Sequence, residues 1–332
     1  MTGTTTTGRV LVLGSYGAVG SLVVSQLLKS GVDVIAAGRD AARLAQLPQS
    51  IEAAPFDVRD PAAYSGVAAR ADVVVNCSGR EDLNLARGAL GADASFVDIS
   101  ATTPYLAQLS GLDGIARSSG HTVLMGVGLA PGLSNLLAAD LPPTPGPIDL
   151  TVLLGVGDEH GPAARAWTFR QLGRRLPDTT GGPDVRAFTG RKRIELPGLG
   201  RRWAYRVDFP EQHTLTHDRG VPVIERLCFD TGIVGMAMAT LTHIPGAAPA
   251  LIRIDRFLPH RLPGSDRWII HASNGHEART ATGRSQSLAT ALVTALATDV
   301  LPTAPAGALH LHELSSLSDI APRLADHHIN VT

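Results

Sequence analysis

Cysteine is nearly missing from this chain: Cys77 and Cys228 are the only two in 332 residues. Two thiols cannot build a disulfide framework, and the count suits a reducing cytoplasm, which is the expected location. Net charge is nearly missing too, with 29 basic side chains against 30 acidic ones and a formal charge of −1. Such a balance provides no basic field for nucleic acid and none for an anionic membrane. No long apolar run is unbroken. The best candidate, Ile233 to Ile252, is interrupted by His243, Pro245 and Gly246, so it reads as a buried or interface element and not as an integral membrane segment. The opening MTGTTTTGR lacks a basic region followed by an apolar core, so no secretory signal is expected. What remains is 44% hydrophobic and 18% charged, enough for a globular core. The length is comfortable for two domains.

Against that background one stretch stands out. Gly8 to Ala37 reads GRVLVLGSYGAVGSLVVSQLLKSGVDVIAA. An apolar run, Val10 to Leu13, leads into Gly14, Gly17 and Gly20. A helical recurrence of Val19, Leu22, Val23, Leu27 and Leu28 follows, then Gly31 and a β-branched run to Ile35. Strand, glycine turn, helix and strand are the context of a dinucleotide fingerprint. Gly14 serves the sharp turn, Gly17 the approach of backbone N–H groups to a pyrophosphate, and Gly20 the packing of helix on sheet. The predicted cofactor-binding turn is therefore Gly14, Ser15, Tyr16, Gly17, Ala18 and Val19. The alternative is a tight turn that binds nothing.

The second strand ends Ala36-Ala37-Gly38-Arg39-Asp40. An NAD site places a carboxylate there for the ribose 2′-OH; here small residues precede a guanidinium that could pair with a 2′-phosphate. Gly38 and Arg39 thus favour NADP(H) over NAD(H). In the competing reading Arg39 is a surface residue and Asp40 only caps the next helix, DAARLAQL.

Alternation of strands and helices continues through Ile51–Phe56, Ala71–Asn76, Ala94–Ile99 and Thr122–Met125, with helices at Leu83–Leu90 and Leu106–Ser118. The fold class is α/β, an N-terminal doubly wound parallel Rossmann sheet. Further cofactor contacts are expected at strand ends: Asp57 and Val58, then Cys77, Ser78 and Gly79, then Ser100, with Thr102 beside the substrate. Beyond Pro131 the texture changes. A helix at Leu133–Leu141 and a proline-rich break precede strands at Ile148–Val156, Val185–Phe188, Arg193–Leu196, Trp203–Val207 and Val223–Phe229, with a helix at Ala163–Leu172. This is a second α+β domain with a mostly antiparallel sheet. The predicted division is 1–130 for the dinucleotide domain and 131–284 for a substrate-binding and dimerisation domain. The C-terminal part 285–332, with its helix Ser285–Val300, is expected to pack back on the first.

GxxGxxG, AAGRD, DVVVNCSG, FVDIS and above all MGVGLAPGLSN together resemble the saccharopine dehydrogenase-like reductases. The similarity covers the chain to about Leu141 and, weakly, PAGALHLHEL. It implies a pyridine-nucleotide oxidoreductase acting at a C–N bond, often on an imine formed from an amine and a carbonyl. It also implies a bilobal shape with a small-molecule substrate in the cleft, and a homodimer formed through the second domain's sheet. The family's loop, in a pattern similar to LDPGIDH, matches Leu129, Ala130, Pro131, Gly132, Leu133, Ser134 and Asn135. Its two carboxylates are replaced by Ala130 and Ser134, and its histidine by Asn135. An ammonium group held there by charge would lose that contact, which argues against saccharopine itself as substrate. Pro131 and Gly132 remain candidate substrate contacts. Some members act on carbon–carbon double bonds of lipids.

Hydride comes from the cofactor, so the protein must orient the reactants and supply a proton. Asp98, Tyr205 and His217 are candidate acids. Asp98 reads equally as a buried carboxylate that accepts backbone N–H bonds. Cys77 reads as a small buried residue more than as a nucleophile. Trp167 and Arg170 share a helix face and are candidate substrate contacts; Arg174 and Arg175 read as a solvated basic face. His213 with His217, and His310 with His312, lack a third ligand at matching spacing, so no metal is expected. The reading is an NADP-dependent imine reductase of a small amino-acid-derived or secondary-metabolite substrate. Its competitors are an enoyl reductase on a lipid-like substrate and a non-catalytic NADP sensor.

Overall fold

The computed structural model describes residues 8–258 and 262–332; most of the N-terminal stretch read for a secretory signal lies outside the described residues. The chain divides into two units, residues 1–133 with 290–315 and residues 134–289 with 316–332.

The first unit carries β1 (Val10–Leu13), α1 (Gly20–Lys29), β2 (Val34–Gly38), α2 (Ala41–Leu44), β3 (Glu52–Pro55), α3 (Pro61–Ala68), β4 (Val73–Asn76), α4 (Leu83–Gly91), β5 (Ser95–Asp98), α5 (Thr103–Ser110), α6 (Asp113–Ser119) and β6 (Thr122–Met125). Six strands and a seventh, Gly307–His310, form one sheet in the order Gly307–His310, β6, β5, β4, β1, β2, β3. Every pairing in it is parallel. β1, β2, β4, β5 and β6 are buried along their whole length, as expected of a sheet covered on both faces. The strand order reverses beside β1, where ligands of doubly wound sheets bind. Asp40, Asp60 and Asp82 start α2, α3 and α4 by accepting backbone N–H bonds of the first turn, which explains the aspartate ahead of each segment. The single helix expected over Leu106–Ser118 is two, broken at Gly111 and Leu112.

The second unit begins with all but the first residue of α7 (Leu133–Ala139). Next come β7 (Ile148–Leu154), α8 (Pro162–Gln171), β8 (Arg175–Leu176), β9 (Val185–Arg186), β10 (Lys192–Leu196), β11 (Gly200–Arg206), α9 (Glu211–Arg219), β12 (Val223–Phe229), α10 (Gly232–Leu241), α11 (Ala247–Ile254), β13 (Arg267–Ser273) and β14 (Ala278–Arg284). Its main sheet runs β10, β11, β12, β7, β13, β14, then Asn330–Val331. Only β12 with β7 is parallel, so the mostly antiparallel expectation holds. The β13–β14 hairpin had no counterpart in the sequence reading. α12 (Gln286–Val300) spans the boundary at residue 290.

Two expectations need correction. The tail 316–332 does not join the first unit: Asn330–Val331 adds an antiparallel edge to β14, and Thr332 exchanges both backbone hydrogen bonds with Thr280. Of the two readings of Ile233–Ile252, buried or interface, the buried one does not hold. The stretch forms α10 and α11, with Ile233 75% and Met236 53% exposed. Among the described residues, no helix is long and apolar enough to cross a membrane.

Candidate functional site

The turn after β1 is possible only with glycine. Gly14 has φ +76°, and a Cβ there would sit 2.7 Å from the Ser78 Cα. A Cβ on Gly20 would come within 2.2 Å of the Gly14 carbonyl oxygen. The helix thus starts directly against the turn, and the turn against the loop after β4. Ser15 is fixed beneath it: its N–H and hydroxyl both donate to the Ala37 carbonyl. The N–H groups of Ala18 and Val19 have no acceptor among the described residues, and no side chain caps α1. Unsatisfied donors at a positive helix end, in a glycine cradle, fit a diphosphate.

Tyr16 crosses from this turn to the end of β2. Its hydroxyl accepts from the Arg39 and Asp40 N–H groups at 3.0 Å each. Its ring covers Gly38, where a Cβ would lie 2.3 Å from it. Around it lies an open cavity of about 720 Å³ lined in part by Arg39, Arg43, Asp57 and Arg59. Arg43 lies over the Tyr16 ring at 4.3 Å and donates to the Tyr16 carbonyl at 2.9 Å. Arg59 donates to both oxygens of Asp57, from Nε at 3.1 and 3.0 Å and from Nη2 at 2.6 Å. These bonds hold the Asp57 carboxyl well below the usual range. Among the described residues, the Arg39 guanidinium has no ion-pair or hydrogen-bond partner. Sequence reasoning named Arg39 and Asp57 here and missed Arg43 and Arg59. The available signal was a second basic residue in the short helix that Asp40 caps. Val58 is half-buried and packs on the first unit's core.

At the ends of β4 and β5 the polar groups bind one another. The Asn76 amide donates to the Asp98 carboxylate at 2.8 Å and accepts from the Ser78 hydroxyl at 2.6 Å. Asp98 also accepts from the Ser100 N–H at 2.7 Å and the Tyr105 hydroxyl at 3.1 Å. It is wholly buried, and burial raises its pKa despite these bonds. Asp98 thus lies buried among donors, one of them the backbone N–H of Ser100. Burial and the nearby Asp98 also push the Cys77 thiol up, which leaves no thiolate nucleophile. Gly79 takes φ +70°, and Thr102 donates to Glu81 at 2.5 Å. In the next loop Gly132 has φ +121°, and a Cβ there would lie 2.2 Å from the Gly128 carbonyl oxygen. Pro131 is buried behind a cis peptide bond.

The second unit brings together groups far apart in sequence. Ser134, in α7, donates to Glu211 at 2.7 Å. Glu211 opens α9 and faces Glu225 of β12; both residues are 0% exposed. Burial pushes Glu211 up to about 7 and Glu225 well above its ordinary value. Asp208 lies nearby, bonded to His213 at 2.7 Å and Gln212 at 3.3 Å and paired with Arg174 at 3.5 Å. Arg226 points to the opposite face of the sheet, as the alternation of a strand requires, and pairs there with Asp149. The signal for the carboxyl pair was the charge inside the otherwise apolar strand VIERLCF.

The remaining candidates are dispersed. Tyr205 is buried against α10, where a Cβ on Gly235 would lie 2.7 Å from its ring. The His217 side chain is 90% exposed and bonded to Asp218, a surface position that gives no enclosed acid. Trp167 packs against Phe209 with ring centroids 4.4 Å apart and the planes tilted by 31°, and Arg170 is exposed on α8.

Residues 14–100 match a family model described as NAD(P)H-binding. No curated protein matches the chain by sequence. Among solved structures, saccharopine dehydrogenase (L-Glu forming) from Saccharomyces cerevisiae is 15% identical over 98% of this chain and 99% of its own, with a TM-score of 0.62. A short-chain dehydrogenase from Streptomyces avermitilis is 24% identical over 36% of this chain and 64% of its own, with a TM-score of 0.30. The likeness to saccharopine dehydrogenase spans both units and is one of fold, as the sequence motifs implied.

Proposed function

We propose that the chain is an NADP-dependent oxidoreductase that transfers hydride to the C=N bond of a small, amino-acid-derived or secondary-metabolite imine. The observation that carries the cofactor is the joining of a glycine cradle with free N–H groups to a cavity lined by three guanidinium groups. Ala18 and Val19 would hold the diphosphate through backbone N–H groups. Arg39 would take the 2′-phosphate of the adenosine ribose, a bond a neutral ribose cannot repay. The nicotinamide, when bound, supplies the hydride. The imine reading rests on the likeness of fold to saccharopine dehydrogenase together with the MGVGLAPGLSN loop. Ala130, Ser134 and Asn135 set this chain's substrate apart from one recognised there by carboxylate and imidazole.

The test is binding followed by turnover. Arg39→Ala should weaken NADPH about ten- to a hundredfold by calorimetry and leave NADH nearly unchanged. Equal losses would remove the NADP assignment. NADPH oxidation is then followed by absorbance across amine and oxoacid pairs. Tight NADPH binding without turnover on any acceptor would favour a sensor. One observation favours the enoyl reductase of a lipid-like substrate: the exposed Ile233, Met236 and Ile252 on α10 and α11. Co-flotation with liposomes would support it.

A further inference from the structure

We infer that Tyr16 is a positioning residue that ties the diphosphate turn to the ribose-phosphate pocket and thereby sets the preference for a phosphorylated dinucleotide. The inference rests on the proposed NADP(H) reading and adds a residue and a mechanism to it. Three contacts carry it. The Tyr16 hydroxyl is the acceptor for two successive backbone N–H groups, those of Arg39 and Asp40. That pair of hydrogen bonds fixes the corner from which the Arg39 side chain departs. The edge of the ring abuts Gly38, where a Cβ would lie 2.3 Å from it and displace the tyrosine, which explains the small residue before Arg39. On the ring lies Arg43, held again by a bond from Nη2 to the Tyr16 carbonyl.

The result is a cation set ordered before any ligand arrives. Arg43 is fixed by the tyrosine, and Arg59, on another wall, by Asp57. The two carboxylates of the cavity are both engaged: Asp57 with Arg59, and Asp40 with the Ala42 and Arg43 N–H groups at 3.0 and 3.1 Å. Three guanidinium groups therefore face the cavity against two occupied carboxylates, an excess of positive charge that suits a phosphate monoester. Ordering long side chains in advance removes an entropy cost from binding. Tyrosine does this from the turn that would also hold the diphosphate, so both ends of the adenosine are gripped by one rigid piece.

The test uses the full chain and four ligands: 2′,5′-ADP, 5′-AMP, NADPH and NADH. Wild type should bind 2′,5′-ADP at least about tenfold tighter than 5′-AMP. Tyr16→Phe keeps the ring on Gly38 and under Arg43 but removes the acceptor. It should weaken 2′,5′-ADP and NADPH roughly five- to tenfold and leave 5′-AMP and NADH within about twofold. Arg43→Gln, placed outside the turn, should show the same one-sided loss. A wild type that does not discriminate overturns the NADP reading and this inference with it. A discriminating wild type with an unchanged Tyr16→Phe variant overturns the positioning role alone. Equal losses on all four ligands would reduce Tyr16 to support of the turn and overturn it as well.

Discussion

The carboxyl groups of Glu211 and Glu225 face each other inside the second unit, and among the described residues neither has a cationic partner. Ser134 donates one bond to Glu211; His213 faces the pair but is bonded to Asp208. Two ionised carboxylates in such surroundings repel at low dielectric, so the pair shares a proton at neutral pH. Both groups bind that proton more tightly folded than unfolded. Stability is therefore full below the ordinary value near 4.5, declines as pH rises toward about 7, and declines further as Glu225 ionises. The expected slope is a little over about 1 kcal/mol per pH unit for each group. Glu225→Gln should flatten the fall of the melting midpoint between pH 5 and 8.5 and raise the midpoint at the alkaline end. A variant that tracks wild type at every pH would refute the shared proton.

Asp98 should behave as a structural carboxylate. Asp98→Ala strands the Asn76 amide, the Ser100 N–H and the Tyr105 hydroxyl without their acceptor. A loss of roughly 2–3 kcal/mol in denaturant unfolding is expected, with NADPH affinity changed only in proportion to the folded fraction. Normal stability with lost turnover would instead make it part of the chemistry.

Gly20→Ala should abolish nucleotide binding. Its Cβ would collide with the Gly14 carbonyl at 2.2 Å, and backbone cannot swing aside as a side chain can. The check is calorimetry with NADPH on variant that still folds by circular dichroism; retained affinity would contradict the cradle.

His217→Ala should change nothing. A side chain 90% exposed on α9 has no buried contact to lose, so melting midpoint and NADPH-dependent turnover are expected to match wild type within about twofold. A large loss of turnover would return it to the list of acids.

The parts legible in the sequence were those encoded locally. Gly14, Gly17 and Gly20 between two apolar runs announce the turn, and Arg39 after Gly38 announces the charge at the end of β2. Arg59 was not legible, because its place on the cavity follows from the pairing of β2 with β3. Glu211 and Glu225 were hidden for a similar reason. They meet only when α9 packs on β12, and a glutamate in isolation reads as solvated. The β13–β14 hairpin escaped because polar Arg267, His271 and Arg284 on one face, and Arg279 on the other, interrupt the alternation of Trp268, Ile270 and Ala281. The last strand, Asn330–Val331, is two residues long, too short for any pattern.

The division of the chain has a bearing on how it is made. The backbone leaves one unit for the other at 133/134, 289/290 and 315/316. Gly307–His310 closes an edge of the parallel sheet, and Asn330–Val331 closes an edge of the other. Neither sheet is therefore complete before residue 307 of the one and residue 330 of the other have left the ribosome. The glycine turn is made long before the strand that completes its sheet, and in that interval the unpaired edges of both sheets are surfaces for chaperones.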